Sequence, residues 1–219
     1  MPVVHAGGAR KSDPTAGPPR SRGQMELVAR IAMGLAMAAG SLQVQWHQST
    51  PVGTHSAGRL EHGVRLPPEG RAFFTWDPVL RRSPNRGWRR WGTDRLVRVV
   101  LEVARDFHAA HPRGARMAVG DLSRRHGGDF GPRFGYIGHA SHQNGLDVDV
   151  YYPRADGREL APRWASEIDR GLSQELVNRF LAAGALVIFV GPSTGLTGPP
   201  GRVQPLVQHD NHLHVRLPL

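Results

Sequence analysis

The chain has 219 residues and no cysteine, with 28 Lys or Arg against 18 Asp or Glu and a formal net charge of +10. That length makes one domain of ordinary size with a long tail, and the lack of cysteine excludes a disulfide scaffold, thiolate-bound zinc and a lipidated cysteine anchor. Lys11 is the only lysine, so arginine carries nearly all of the positive charge, and the balance favours an anionic partner: nucleic acid, acidic lipid or cell-wall polymer.

Residues 1–24 are rich in Pro, Gly, Ser and Arg with almost no large apolar side chain, a composition that predicts a disordered tail. Residues 25–40 hold the apolar run Ile31 to Ala39 behind Arg20, Arg22 and Arg30, and Ala36-Met37-Ala38 has the form of a secretory cleavage site. A signal segment there starts the mature chain near Ala39; the alternative is an ordinary amphipathic helix. The run is shorter than the roughly 20 apolar residues that span a bilayer, so no stable membrane insertion is expected.

Residues 49–219 are the expected folded domain. From Ser49 to Trp91 recurrent Gly and Pro predict turns and short hairpins. Phe73, Phe74, Trp76, Trp88 and Trp91 are interleaved there with Arg81, Arg82, Arg86, Arg89 and Arg90. Core aromatics beneath a solvated basic surface are the favoured reading, with a groove for an anionic polymer or stacked bases as the alternative. Thr93 is an N-cap candidate before Leu96, Val99, Val100, Val103 and Phe107, which fall at helical spacing and stop before Pro112. Met117 to Leu122 reads as a strand feeding the loop Gly120-Asp121-Leu122-Ser123. A second helix is predicted from Gln174 to Ala183, capped by Ser173 and stopped at Gly184, followed by a buried strand from Ala185 to Val190. The Gly/Pro-rich stretch Gly191 to Gln208 then leads to the final strand and is expected to wall the site, with a structureless connector as the simpler alternative.

Two motifs carry the chemistry. One runs from Gly138-His139 through Ser141-His142 to Leu146-Asp147-Val148-Asp149; the other is His209-Asp210-Asn211-His212-Leu213-His214, and together they hold five of the twelve histidines. Side chains alternate faces along a strand, so His212 and His214 point one way while Leu213 and Val215 enter a core. By the same rule Leu146, Val148 and Val150 line one face and Asp147, Asp149 and Tyr151 the other. Two adjacent strands of this kind bring two imidazoles and a carboxylate together, and a turn at Gly145 folds His142 back to add a third nitrogen. A His and Asp donor set without Cys suits catalytic zinc with one open position. The helical His-Glu-x-x-His pattern is absent, which excludes the common metalloprotease arrangement.

These residues resemble the penicillin-insensitive murein endopeptidases, part of a wider group with the lysostaphin-type enzymes, the D-Ala-D-Ala metallopeptidases and the Hedgehog signalling domain. The group's pattern is a His, an Asp seven positions later and a distant His-x-His; His142 and Asp149 stand at that separation. The likeness extends from Gly58-Arg59-Leu60 through Val119 to Ser123 and Ser141 to Asp149 to the terminal histidines. It implies that His142, Asp149 and His214 bind zinc, that His212 is the general base, and that His139 and His209 are further active-site histidines meeting substrate or the developing oxyanion. Asp147 shares a strand face with Asp149; spacing favours Asp149 as ligand and leaves Asp147 to fix the tautomer of a liganding histidine. The expected fold is α+β, a mainly antiparallel central sheet with helices on one side and long loops, like the Hedgehog and DD-peptidase domains. The implied activity is hydrolysis of peptidoglycan cross-links between D-alanine and the side-chain amine of a diamino acid, outside the cytoplasm in the periplasm or cell wall. A D,D-carboxypeptidase or dipeptidase, or a non-catalytic zinc-binding module, is the alternative; the presence of His212, His139 and His209 argues against the latter. A nuclease would need further carboxylates or a basic helix at the site, so no nucleic-acid partner is expected.

Overall fold

The computed structural model describes residues 44–130 and 139–219; the predicted tail at 1–24 and signal segment at 25–40 lie outside the described residues. In chain order the described elements are β1 (Thr50–Gly53), β2 (Gly58–Glu61), β3 (Val64–Arg65), β4 (Phe73–Thr75), β5 (Trp91–Gly92), α1 (Asp94–Ala110), β6 (Met117–Val119), β7 (Asp147–Tyr151), α2 (Arg170–Ala182), β8 (Val187–Val190), β9 (Val203–Pro205) and β10 (His212–Arg216). The expected hairpins in the first part are present as the antiparallel pairs β1·β2 and β3·β5.

The remaining strands form one six-stranded sheet in the order β4-β6-β7-β10-β8-β9. The fold is α+β as expected, but the sheet is mixed rather than mainly antiparallel: β6, β7, β10 and β8 pair antiparallel, while the outer pairs β4·β6 and β8·β9 are parallel. A parallel neighbour needs a crossover of a dozen or more residues. Between β4 and β6 that connection contains α1, and between β8 and β9 it is the stretch 191–202, so the loop expected after residue 190 carries a strand of its own.

Helix α1 begins where its cap predicts. The Thr93 side chain accepts a hydrogen bond from the Leu96 amide at 3.1 Å, a cap that contributes about 1 kcal/mol. Leu96, Val100, Val103 and Phe107 are buried, and Val99 is half-buried at the edge of that stripe. Helix α2 starts earlier than its sequence suggests, because Asp169 rather than Ser173 is the cap: its carboxylate accepts from the Leu172 amide at 2.9 Å. Ser173 sits inside the helix, its hydroxyl donating to the Asp169 carbonyl at 2.6 Å. Both helices pack their apolar faces against Val148, Val150, Ile188, Leu213 and Val215 of the sheet. Each such fully buried side chain stabilises the fold by about 1.5–3 kcal/mol.

The opposite face of the sheet is left for chemistry. A smaller apolar cluster of Phe74, Trp76, Ala118 and Tyr151 covers one end of it. Most of the early aromatics are thus core residues, as expected, but the basic surface assigned to that segment is only partly solvated: Arg89 and Arg90 are 0% and 5% exposed. Each is buried because it has a partner, Arg89 on the Asp121 carboxylate and Arg90 on the backbone carbonyls of Asn85 and Leu66.

Candidate metal centre

Strands β7 and β10 pair antiparallel with His214 opposite Asp149, His212 opposite Tyr151 and Arg216 opposite Asp147. Strict alternation then sends Val148, Val150, Leu213 and Val215 into the core at 0% exposure and turns Asp147, Asp149, His212 and His214 to the other face. His142 reaches the same point from a turn closed by Gly145, whose φ of +78° belongs to the left-handed region and where a Cβ would meet the Leu60 side chain at 2.9 Å and the Thr93 nitrogen at 3.1 Å. The backbone of His142 is itself left-handed at φ +68°, a conformation that costs a residue with a Cβ. Its amide donates to the Asp147 carboxylate at 3.0 Å, which holds it there.

Three donor atoms meet. His142 Nε2 lies 3.2 Å from His214 Nδ1 and 3.3 Å from Asp149 Oδ1, and His214 Nδ1 lies 3.1 Å from the same oxygen. The other nitrogen of each ring is engaged elsewhere. His142 Nδ1 donates to the Leu122 carbonyl at 2.6 Å, and His214 Nε2 donates to Asp147 Oδ1 at 3.1 Å. In the neutral form that can bind a metal, each ring therefore presents a lone pair to the carboxylate oxygen. Lone pairs this close repel one another unless a cation lies among them, and ligands about 2.0–2.1 Å from a tetrahedral ion stand roughly 3.3 Å apart. The donor set fits a small metal ion. Asp147, which the sequence left as a tautomer-fixing residue, touches both histidine segments and is in turn held by Arg216 Nε at 2.8 Å.

His139 is the nearest rival for a place among the ligands. His139, His142 and Asp149 offer ligand atoms that all lie within 4.8 Å of one another. His139 Nε2, however, already bonds Asp121 Oδ2 at 2.8 Å and stands 3.7 Å from Asp149 Oδ2. Asp121 is buried, bonded by Asn85 Nδ2 at 2.9 Å and gripped in a fork by the Arg89 guanidinium. Sequence reading gave Asp121 and Arg89 no role at the site; the only signal was the placement of Asp121 in Gly120-Asp121-Leu122-Ser123, just beyond the end of β6. There the Gly120 amide bonds the Asp149 carbonyl at 2.8 Å and the Asp149 amide bonds the Asp121 carbonyl at 2.9 Å, which sets Asp121 beside Asp149.

His212 faces the donor cluster with Nε2 3.8 Å from Asp149 Oδ1, while Nδ1 donates to Asn211 Oδ1 at 2.6 Å. His209 stacks beside it with ring centroids 4.6 Å apart, and its Nδ1 bonds the Val207 carbonyl at 2.8 Å. The five histidines and Asp149 singled out from sequence as site residues thus meet in one place. Burial works against charge on the His212 ring and lowers its pKa to about 4, despite the neighbouring Asp149. Burial also disfavours charge on His214, but the Asp147 and Asp149 carboxylates outweigh it and raise the ring to about 9. For Asp149, burial pushes upward and the surrounding rings of His142, His139 and His212 pull the carboxyl well below the usual range. A bound cation would add its own charge to this balance.

The centre lies in a cleft of about 1120 Å³. One wall is built from residues 206–209, the end of the stretch expected to border the site, and the other from Trp76, Arg81 and residues 154–167. Gly191 lets the turn before β10 come close, since a Cβ there would meet Asp210 Oδ1 at 2.2 Å.

Comparison with known proteins gives the family. Residues 51–180 match the family model described as penicillin-insensitive murein endopeptidase, a segment that contains His139, His142 and Asp149 and ends before His209. A penicillin-insensitive murein endopeptidase of Salmonella arizonae is 31% identical over 150 residues, covering 54% of this chain and 52% of its own length. The protein of that name from Haemophilus influenzae is 27% identical over 196 residues, covering 78% of this chain and 64% of its own. The chain thus spans about half the length of the Salmonella relative. With more than half of its residues matched by the family model, and those residues supplying part of the donor cluster, the chain belongs to the penicillin-insensitive murein endopeptidase family.

Proposed function

We propose that this chain is a zinc-dependent murein endopeptidase that hydrolyses peptidoglycan cross-links between D-alanine and the side-chain amine of a diamino acid, outside the cytoplasm. The observation that carries the reading is the trio of donor atoms at 3.1–3.3 Å, with the second nitrogen of each ring bonded elsewhere, set in the cleft of a chain of this family. His142, Asp149 and His214 would hold the zinc. Such an all-nitrogen-and-oxygen set of three leaves a fourth position open, the usual arrangement of catalytic zinc. When bound, zinc supplies Lewis acidity at the scissile carbonyl and a nucleophilic water near neutral pH.

The remaining steps belong to the protein. His212, neutral at pH 7 with its Nδ1 proton committed to Asn211, accepts the proton of the attacking water at Nε2 and returns it to the leaving amine. His139 has the opposite bias: burial lowers its pKa, but the Asp149 and Asp121 charges outweigh that and raise it. It is the group suited to donate toward the carbonyl oxygen as that atom gains charge. His209 lies at the mouth beside His212 and meets the peptide. The cleft of about 1120 Å³ has room for an extended peptide on both sides of the donor cluster. On this reading residues 49–219 are the catalytic domain on the scaffold of the Hedgehog and DD-peptidase group, and residues 25–40 direct secretion. Among the described residues no helix is long and apolar enough to cross a membrane.

Digestion of cross-linked muropeptide dimers, with products identified by mass, tests the reading. Monomers are expected, with loss of activity on chelation, recovery with zinc, and no covalent labelling by a fluorescent penicillin, since no Ser or Cys attacks. Cleavage that survives complete metal removal, or penicillin labelling, contradicts it.

A further inference from the structure

One wall of the cleft is strongly basic and takes no part in the proton transfers. It is the arm 154–164, which leaves the end of β7 and returns toward Ile168, with which Arg154 makes an isolated bridge. The arm is fastened from beneath, where Leu160 and Ala161 pack on the Phe74, Trp76, Ala118 and Tyr151 cluster. Ion pairs fasten it as well. Arg154 bonds Asp156 at 2.7 Å and Glu167 at 2.9 Å, and Arg116, just before β6, reaches Glu159 at 2.7 Å. The carboxylates of this wall are therefore committed to arginines that hold the arm in shape.

Three further arginines remain. Arg158 and Arg163 on the arm, and Arg81 beside them, are exposed and line the cleft, and among the described residues none of them makes an ion pair. Arg158 has Asp156 as its acidic neighbour, and that carboxylate is already bonded by Arg154. Next to Arg163, Trp164 is 67% exposed and offers an apolar face along the same cleft. Three guanidinium groups, two of them on a pinned arm, in the cleft that holds the donor cluster, form a site for negative charge on whatever lies across the centre. Guanidinium forks match carboxylates in geometry, and a peptide's own anionic groups are its carboxylates.

We infer that Arg81, Arg158 and Arg163 form a carboxylate-reading subsite, by which the cleft prefers cross-linked peptides whose stem residues keep free carboxylates over peptides in which those groups are amidated. This rests on the murein endopeptidase reading for the nature of the peptide. The arginines set affinity and take no part in bond breaking.

The test uses the full-length zinc-loaded protein and two synthetic dimers that differ only in bearing free carboxylates or carboxamides. Each is made both with the ordinary cross-link and with that amide reduced to an uncleavable amine. Titration calorimetry of the uncleavable pair should show the free form bound about 3- to 30-fold more tightly at low salt, the scale of three exposed charge contacts, with the gap shrinking as salt rises. Arg81→Gln with Arg163→Gln should remove most of the gap, and Arg158→Gln should narrow it, with melting temperatures unchanged because all three side chains are exposed. Equal binding of the two forms, or a preference that survives in the double variant, overturns the subsite. Cleavage of the ordinary dimers is read separately: if neither is cut with metal present, the endopeptidase reading fails whatever the binding titration gives.

Discussion

Asp149, His212 and His214 stand on paired strands, whereas His139, His142 and His209 stand in loops, and the two groups are held by different forces. The strand residues share their backbones with Val148, Val150, Leu213 and Val215, all at 0% exposure, so the core that stabilises the fold also fixes their positions. The loop residues have no such ladder. His142 and His139 are held by buried carboxylates instead, Asp147 on the amide of the first and Asp121 on the ring of the second. A ladder positions side chains as a by-product of burial, while a loop needs a dedicated polar anchor, and such an anchor in the interior must itself be paired. Arg89, Asn85 and Arg216 meet that need.

The largest expected effect comes from removing a strand-borne donor. His214→Ala should lose most bound zinc and activity together; unchanged metal content by elemental analysis would break the ligand set and bring His139 forward in its place. His212→Ala, two residues away on the same face, should keep its zinc and lose about 10²–10⁴-fold in rate. Near-normal turnover with metal bound would mean that the base stands on a loop, with His209 and His139 next to be replaced. Asp147→Asn touches both groups at once, since the carboxylate serves the strand histidine through its ring and the loop histidine through its amide. Metal affinity should fall about 10- to 100-fold, the usual worth of a partner behind the ligands. Competition with a chelator measures this, and an unchanged affinity would show that the ladder alone positions His214.

The same contrast explains what could be read from the sequence. Alternation in residues 146–151 and 212–216 carried the strands and their faces, because burial on one face leaves a period of two; the register that sets His214 opposite Asp149 leaves no such pattern. The α1 start was legible because Thr93 precedes a clean apolar stripe. The α2 start was not, since Asp169 and Ser173 are both good caps and the choice depends on where the segment before the helix packs. The mixed sheet escaped because parallel edge pairing follows from crossovers, which leave no local pattern. Arg89 and Asp121 escaped for a related reason. A charged residue reads as surface until its partner is known, and theirs lie 32 positions apart in the chain.

Strand β10 follows β7 by some sixty residues yet lies between β7 and β8, hydrogen-bonded to both. Until it docks, those two strands keep unsatisfied edges facing a gap, and Val148, Val150 and Ile188 lack the Leu213 and Val215 layer that completes their packing. Closing the sheet is thus a long-range event that comes late in vectorial synthesis. His212 and His214 arrive on the same strand, so the step that seals the core also brings both rings up to Asp149. A nascent chain in which β10 has not yet emerged lacks both rings, and the donor cluster is assembled only once this strand has docked.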